Sequence, residues 1–554
     1  RTSTDTEVIV HLYEELGERC VERLNGMFAF AIWDSRREKL VLARDRMGQK
    51  PLFYRQNGDD FAFASEMKAL MSVADGDFEM DTESLHHYLS LRFVPPPRTM
   101  LSGIQKLPPA HLLVFQENRV TVKQYWELSF VGKTNVSDGD WVDMLRDKLE
   151  RSVESHLVSD VPVGAFLSGG LDSSMVVAMM ANHYDNRIAT FAVGVEEADF
   201  DELPYARSVA DRYNTRHTEQ CVHSDLIGLL PRIIWHLDEP SDPIAACQYH
   251  AAEVAARHVK VVLGGDGGDE LFGGFDRYYG LDYVRHYARI PALIRGRLLR
   301  PLLRRLPDSF TYKSVTQKLR WIDQLAAVPD LGERYAEATC YFRFSHLDKA
   351  SLFTDSAWLR VKDLNSSEVI SSPFHSAPAT DMLDRMLYTD IVTRLPEHSL
   401  MLTDRMSMAH SLELRSPMLD HELVELMATY PADLKIRNRQ TKFILRELAK
   451  DYLPEDIVNR DKQGFMFPIA YWFAGKLHGF LRTFLLESRF VREGIFRRDA
   501  VADLLDDHLI GRRDNHVRLW MLLNLEIWDR IYLRGVQPEA IEDEIVAAIA
   551  RNEE

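Results

Sequence analysis

Two short stretches hold most of the residues able to do chemistry. One is Phe166-Leu167-Ser168-Gly169-Gly170-Leu171-Asp172-Ser173-Ser174; the other is Gly264-Gly265-Asp266-Gly267-Gly268-Asp269-Glu270-Leu271-Phe272-Gly273-Gly274. The first lies between a strand-like run (160–165) and an apolar, helix-like run (175–181). A strand, a Ser/Gly turn and a helix start form an anion site, because the free N–H groups and positive dipole end favour phosphate or pyrophosphate. Gly169 and Gly170 allow the backbone to approach a ligand without Cβ clashes. Asp172 would repel a phosphate directly, so the natural reading is Mg2+ between the two. The second stretch packs six glycines and three acids into eleven residues after the strand-like run 260–263. Acids at a strand end beside a phosphate loop point to a metal, and Asp172 and Asp269 are the expected ligands. The bland alternative is a capped turn plus a glycine-rich turn with solvated acids; the pairing of the two stretches argues against it.

These turns need a scaffold. From about residue 141 helix and strand patterns alternate, which predicts an α/β domain with a parallel sheet covered on both faces. Ligands of such sheets sit outside the carboxyl ends of the strands. A third strand, 189–195, contains Val193 and leads through Phe200-Asp201-Glu202 to a helix at 204–213. The first 130 residues read differently, as an α+β antiparallel layer: a helix at 7–24 capped by Thr4 or Asp5, then strands at 27–33, 40–44, 52–54 and 61–65. Val94-Pro95-Pro96-Pro97-Arg98 is a stiff loop, and 135–140 is a polar linker before a helix at 141–157. Two domains are expected, 1–130 and 141–554. Helices at 382–393 and 441–450 read as a lid over the nucleotide. A last amphipathic helix spans 538–550, with Pro538 in its first turn. Residues 281–380 read as an idiosyncratic helical insert. Its arginines (Arg285, Arg289, Arg295, Arg297, Arg300, Arg304, Arg305) mix with Leu and Ile between breaks at Pro291 and Pro301. They suggest a solvated helical face rather than a membrane or partner surface.

The totals narrow the class. The chain has 554 residues and a net charge of −17, a poor footprint for nucleic acid. Its four cysteines (Cys20, Cys221, Cys247, Cys340) form no metal pattern and read as reduced, buried thiols. No apolar run has membrane-spanning length. A cytoplasmic, multidomain enzyme without nucleic-acid or membrane partners is expected, and a homodimer is left open.

The Ser168–Ser174 string resembles the pyrophosphate loop of enzymes that cleave ATP between its α and β phosphates. Together with Val193, Asp238-Glu239-Pro240-Ser241-Asp242-Pro243, the 264–274 turn and the run 404–420, it resembles the synthetase part of glutamine-hydrolysing asparagine synthetases. Residues 25–34 and 43–52 resemble the N-terminal-nucleophile glutaminase domain of that family. The family's nucleophile is an N-terminal Cys, whereas this sequence opens on Arg1 and its nearest thiol is Cys20. The glutaminase part is therefore expected to be incomplete, lacking its catalytic N-terminus and inactive on glutamine as it stands. Asp5 alone matches a glutamine-binding position.

The resemblance implies ATP-dependent amidation of aspartate to asparagine through β-aspartyl-AMP, with ammonia from glutamine in the intact protein. It implies ATP contacts at Leu167, Ser168, Gly169, Gly170, Asp172, Ser173, Val193 and Gly265, with Mg2+ on Asp172 and Asp269. Lys462 matches a phosphate lysine. Asp266 stands where the asparagine-forming enzymes carry Glu, an acid able to take the proton of the incoming amine. The shorter Asp266, and Gly264 where the family often has Ser, predict a roomier pocket. They keep open a second reading, the same chemistry on another carboxylate such as a peptide or cell-envelope precursor. An RNA-adenylating enzyme and a non-catalytic scaffold fit less well, given the acidic balance and the intact charged motifs.

Overall fold

The computed structural model describes residues 4–553, apart from 75, 135, 185, 196–200, 223, 241, 307–313, 341 and 462–467. Five parallel strands form the central sheet, in the spatial order Arg216–Val222, Ala189–Val195, Val163–Phe166, Val261–Leu263, Glu413–Arg415. In sequence terms this is the order 3-2-1-4-5. The chain direction of succession reverses between Val163–Phe166 and Val261–Leu263, and a crevice opens at the carboxyl ends of such a pair. Both chemistry-bearing turns leave the sheet from those two strands. Fully buried positions such as Ala165, Val262 and Leu263 make the sheet's interior continuous with the helices on its faces.

The N-terminal part forms two antiparallel sheets. One pairs Ala29–Asp34, Lys39–Arg44, His111–Gln116 and Arg119–Gln124; the other pairs Asp60–Ala64, Phe53–Asn57 and Gln105–Lys106. The hairpin 111–124 was not anticipated. Its signal is present: an apolar run, Leu112-Leu113-Val114-Phe115, precedes Glu117-Asn118 and alternating Val120 and Val122 follow, and both turn residues take positive φ (48° and 59°), as a tight primed turn requires.

Several expectations need correction. The first helix is Thr6–Leu16, and Gly17 (φ 61°) turns the chain into a separate 3-10 segment, Gly17–Arg23, that carries Cys20. Asp5 occupies the cap position without a side-chain cap bond. Of the cysteines only Cys20 and Cys247 are buried, while Cys221 is exposed. Pro301 does not break its helix. A π turn, Arg295–Leu299, precedes Arg300–Arg305, and that wider turn relieves the carbonyl that a proline ring would meet. Arg295 and Arg300 also turn inward, to the Ile290 and Ala326 carbonyls and to Asp323 (2.8 Å).

A buried charge network ties the antiparallel sheets to the parallel-sheet half. Lys106 Nζ lies 2.9 Å from Glu239 and 3.1 Å from Glu397, and Arg44 Nη1 lies 3.1 Å from Glu397. Burial opposes the Lys106 ammonium, but its two carboxylate partners outweigh burial and raise its pKa. Removing one member leaves an uncompensated buried charge, at a cost of about 3–5 kcal/mol. Lys106→Met should therefore lower the thermal midpoint in calorimetry by several degrees. An unchanged midpoint would mean that the network contributes nothing to stability.

Candidate functional site

The loop after Val163–Phe166 begins with Leu167 N–H donating to Phe191 O (2.9 Å), so the sheet positions Ser168. Ser168 Oγ accepts from Gly170 N–H (3.3 Å) and sits 3.1 Å from Ser173 Oγ. The helix Leu171–His183 follows, with Gly170 at its cap and no side chain bonded to its first N–H groups. Those donors face the cavity, as a phosphate site needs. Gly169 takes φ +71°, and a Cβ there would lie 2.5 Å from Ala206 N. Arg460 clasps the loop from outside. It donates to Gly169 O (3.2 Å), pairs with Glu202 (2.8 Å) and lies 3.9 Å over the Tyr205 ring.

The second turn packs on the first through its glycines. A Cβ on Gly265 would sit 2.8 Å from Ser173 N, and one on Gly268 2.6 Å from Asp172 Cγ. This close approach explains the glycine density better than turn geometry does, although Gly267 (φ 85°) and Gly273 (φ 72°) also need it. Asp172 and Asp269 converge on one cation, the Lys442 ammonium. It pairs with Asp172 and lies 2.6 Å from Asp269. Lys442 holds a left-handed backbone (φ 56°), a conformation that costs about 1–3 kcal/mol and is kept where the surroundings enforce it. Sequence reasoning placed a lid helix here and missed the lysine that precedes it.

Two hard carboxylates fit Mg2+, which takes one or two protein carboxylates and completes its shell with phosphates and water. Buried Asp172 Oδ1 has no hydrogen-bond partner, leaving a lone pair for such an ion. Among the described residues no group of three or more His, Cys, Asp or Glu forms a self-sufficient metal site.

Asp266 is half-buried and accepts from Thr403 Oγ1 (3.2 Å), which Gln248 Nε2 reaches in turn (2.7 Å). Burial, reinforced by Asp172 and Asp269, raises its pKa above the usual carboxylate value, against the Thr403 bond. A Cβ on Gly264 would come 2.8 Å from Asp266 Oδ2. The two departures are thus one adjustment, since the Asp266 carboxylate folds over the position where residue 264 lacks a side chain.

All of this lines one cavity of about 780 Å3. Leu167, Ser168, Gly170, Asp172, Ser173, Val193, Gly265, Asp266 and Asp269 line it together; Gly169 lies behind the loop. Asp5 is exposed at the start of the first helix, away from this cavity. Lys462 lies outside the described residues. The insert 281–380 supplies a wall through Gln317, Trp321, Thr339, Phe342 and Arg343, beyond its exposed arginine-rich stretch.

Comparison with known proteins follows the same lines. The family model described as asparagine synthase matches residues 144–530, and one described as a glutamine amidotransferase domain matches 1–126. The chain belongs to the asparagine synthetase family. It is 33% identical over 549 residues to asparagine synthetase [glutamine-hydrolyzing] 1 of Bacillus subtilis, covering 98% of this chain and 83% of that protein. A putative asparagine synthetase of Mycobacterium tuberculosis is 32% identical over 561 residues, covering 98% and 82%. An amidase of Penicillium rubens is 27% identical over 531 residues, covering 86% and 74%. The chain is thus an ATP-dependent ligase with an amidotransferase-type N-terminal part. Among the described residues no helix is long and apolar enough to cross a membrane.

The glycine packing predicts a specific lesion. Gly268→Ala should push the Asp172 carboxylate aside and weaken ATP binding at least tenfold, about 1.4 kcal/mol. Calorimetric titration with ATP measures this, and unaltered affinity would refute the packing argument.

Proposed function

We propose that this synthetase amidates aspartate to asparagine through a β-aspartyl-AMP intermediate, using ammonia that glutamine supplies in the intact protein. The observation that carries the reading is the juxtaposition, on adjacent strand ends, of an uncapped helix N-terminus with a half-buried acid, Asp266, that lines the same cavity. In the first step a β-carboxylate oxygen of aspartate attacks the α-phosphorus of ATP, and the bond to the bridging oxygen breaks, releasing pyrophosphate. The N–H groups at 168–173 and the Lys442 ammonium stabilise the charge that develops on that leaving group. Mg2+ held by Asp172 and Asp269 would supply further charge neutralisation on the phosphates. In the second step ammonia attacks the acyl carbon, the carbon–nitrogen bond forms and AMP departs. Asp266, oriented by Thr403, takes the proton that the nitrogen must lose. Lys462 remains part of this proposal as a phosphate ligand, and Asp5 as a ligand for the α-amino group of glutamine.

A second reading, a larger carboxylate as acceptor, is favoured by one feature. The cavity extends past Asp266 to the wall at 317–343, which leaves space beyond the nucleotide.

Two measurements test the proposal. Asp172→Asn should reduce AMP formation from ATP, Mg2+, ammonium and aspartate by at least about a hundredfold, in keeping with loss of a directed charge at a phosphoryl site; near-full activity would remove Asp172 from the site. Asp266 must be ionised to accept a proton, and its pKa lies above the ordinary value. The rate of amide formation should therefore fall on acidification at a higher pH than an ordinary aspartate would impose. In Asp266→Asn the residual rate should lose that acid limb, and an identical pH profile would exclude Asp266 as the base. Mass spectrometry of the product, with and without aspartate, decides between the two acceptors.

A further inference from the structure

The far wall of the cavity carries more positive charge than its own carboxylates neutralise. Arg92, Arg343 and Arg394 all line it. Arg92 pairs with Asp242 (2.6 Å), which also bonds His398 Nε2 (2.9 Å). Arg343 donates to the carbonyl of Leu91 (2.7 Å), next to Arg92 in the chain, and has no carboxylate partner among the described residues. Arg394 has none either, and its buried Nε makes no hydrogen bond. Of the acids near it, Asp390 is held by Arg277 and by Tyr278 Oη (2.6 Å), and neither Asp390 nor Glu270 closes an ion pair with the Arg394 guanidinium. The strain of gathering three guanidiniums shows in Arg343, which burial, then Arg92, bring down to about 9. Burial lowers His398 to about 4, so it adds no further positive charge and serves Asp242 as a neutral donor.

The Arg394 guanidinium has the Phe275 ring 5.6 Å away, but a cavity-lining guanidinium without a carboxylate is expensive unless a ligand completes it. Arg394, His398, Ser399 and Thr403 line the cavity from one continuous helical run, Leu395–Leu400 and Met401–Met408 with the residue before it. Nine residues separate Arg394 from Thr403, about 13 Å along a helix axis. Thr403 holds the acid beside the reacting carboxyl; Arg394 stands at the other end.

We propose that Arg394, backed by Arg343 and Arg92, forms a subsite for the non-reacting carboxylate of the acceptor. Arginine suits the task because its planar fork meets a carboxylate with two parallel bonds. Asp242 and His398 are positioning residues that fix Arg92. The inference rests on the ligase reading, yet its test does not depend on turnover.

The test uses Arg394→Gln and Arg394→Lys in the full chain, with succinate as probe. By titration calorimetry succinate should bind the Gln variant at least tenfold more weakly than the parent protein, and the Lys variant in between, with unchanged thermal midpoints. Equal binding by all three, or no saturable binding by the parent, overturns the subsite. In steady state the KM for L-aspartate should rise at least tenfold in Arg394→Gln while the KM for ATP moves less than twofold. A change confined to inhibition by pyrophosphate would instead assign the arginines to the leaving group and overturn the proposal. If the parent protein makes no AMP with aspartate, aspartate fails as substrate, and the succinate titration still decides the subsite. Should the Gln variant not fold, the charged Lys variant carries the same comparison.

Discussion

Four acidic side chains, Asp172, Asp266, Asp269 and Glu270, are gathered at the ends of two neighbouring strands, and Lys442 is the ammonium that holds two of them together. Like charges at this density repel strongly where burial lowers the local dielectric. The structure answers in three ways. Lys442 is kept in an unfavourable backbone conformation to stand between Asp172 and Asp269. Asp266 and Glu270 are driven toward their protonated forms, Glu270 to about 7. The remaining deficit suits a ligand that arrives with its own cation, as a nucleotide does. The glycine faces, the uncapped helix and the Arg460 clasp arrange the space around that balance.

Much of this was legible in the sequence. Short strands bounded by Gly-rich turns identified the two strand ends, because a parallel sheet leaves few places where glycines and acids accumulate together. The motif at 168–174 located the phosphate loop because its residue types are dictated by backbone donors and steric clearance. Other features depended on tertiary proximity. Lys442 meets Asp172 across 270 residues, and nothing in its local sequence marks it. Arg460 and Glu202 likewise find each other only once the helix Leu203–Arg212 docks beside the loop. The arginine- and leucine-rich stretch 285–305 is a largely exposed helical face, as its pattern suggests, but nothing in that pattern shows that the rest of the insert reaches the cavity. The insert's inward face became visible only from Trp321, Thr339 and Arg343 on the cavity wall. The hairpin 111–124 was readable and overlooked, since its turn lacks the Gly that usually advertises one.

The buried Lys106–Glu397–Arg44 network gives the run Leu395–Met408 a second duty. Glu397 faces the antiparallel sheets, while its neighbour His398 faces the acceptor side of the cavity and pairs with Asp242. Any shift of the N-terminal layer that loosens Glu397 would be felt one residue later at His398. Communication of this kind needs no long relay, because both contacts sit on a single turn of one helix. Desolvated pairs are also little affected by salt, so the linkage should persist across ionic strengths that abolish surface pairs.

The same helix divides the cavity's labour in a way that bears on how such a protein diversifies. The candidate nucleotide contacts come from strand ends and their turns, where most glycines are closely approached by backbone or side-chain atoms and a substitution disturbs the shared machinery. The side chains assigned to the acceptor in the proposal, Thr403, Ser399, His398 and Arg394, line the cavity from one helical run. Changing a side chain there alters what is selected without disturbing how it is activated. Lineages can therefore explore new acceptors through a handful of positions on one rod, while the energy-coupling half of the pocket stays frozen.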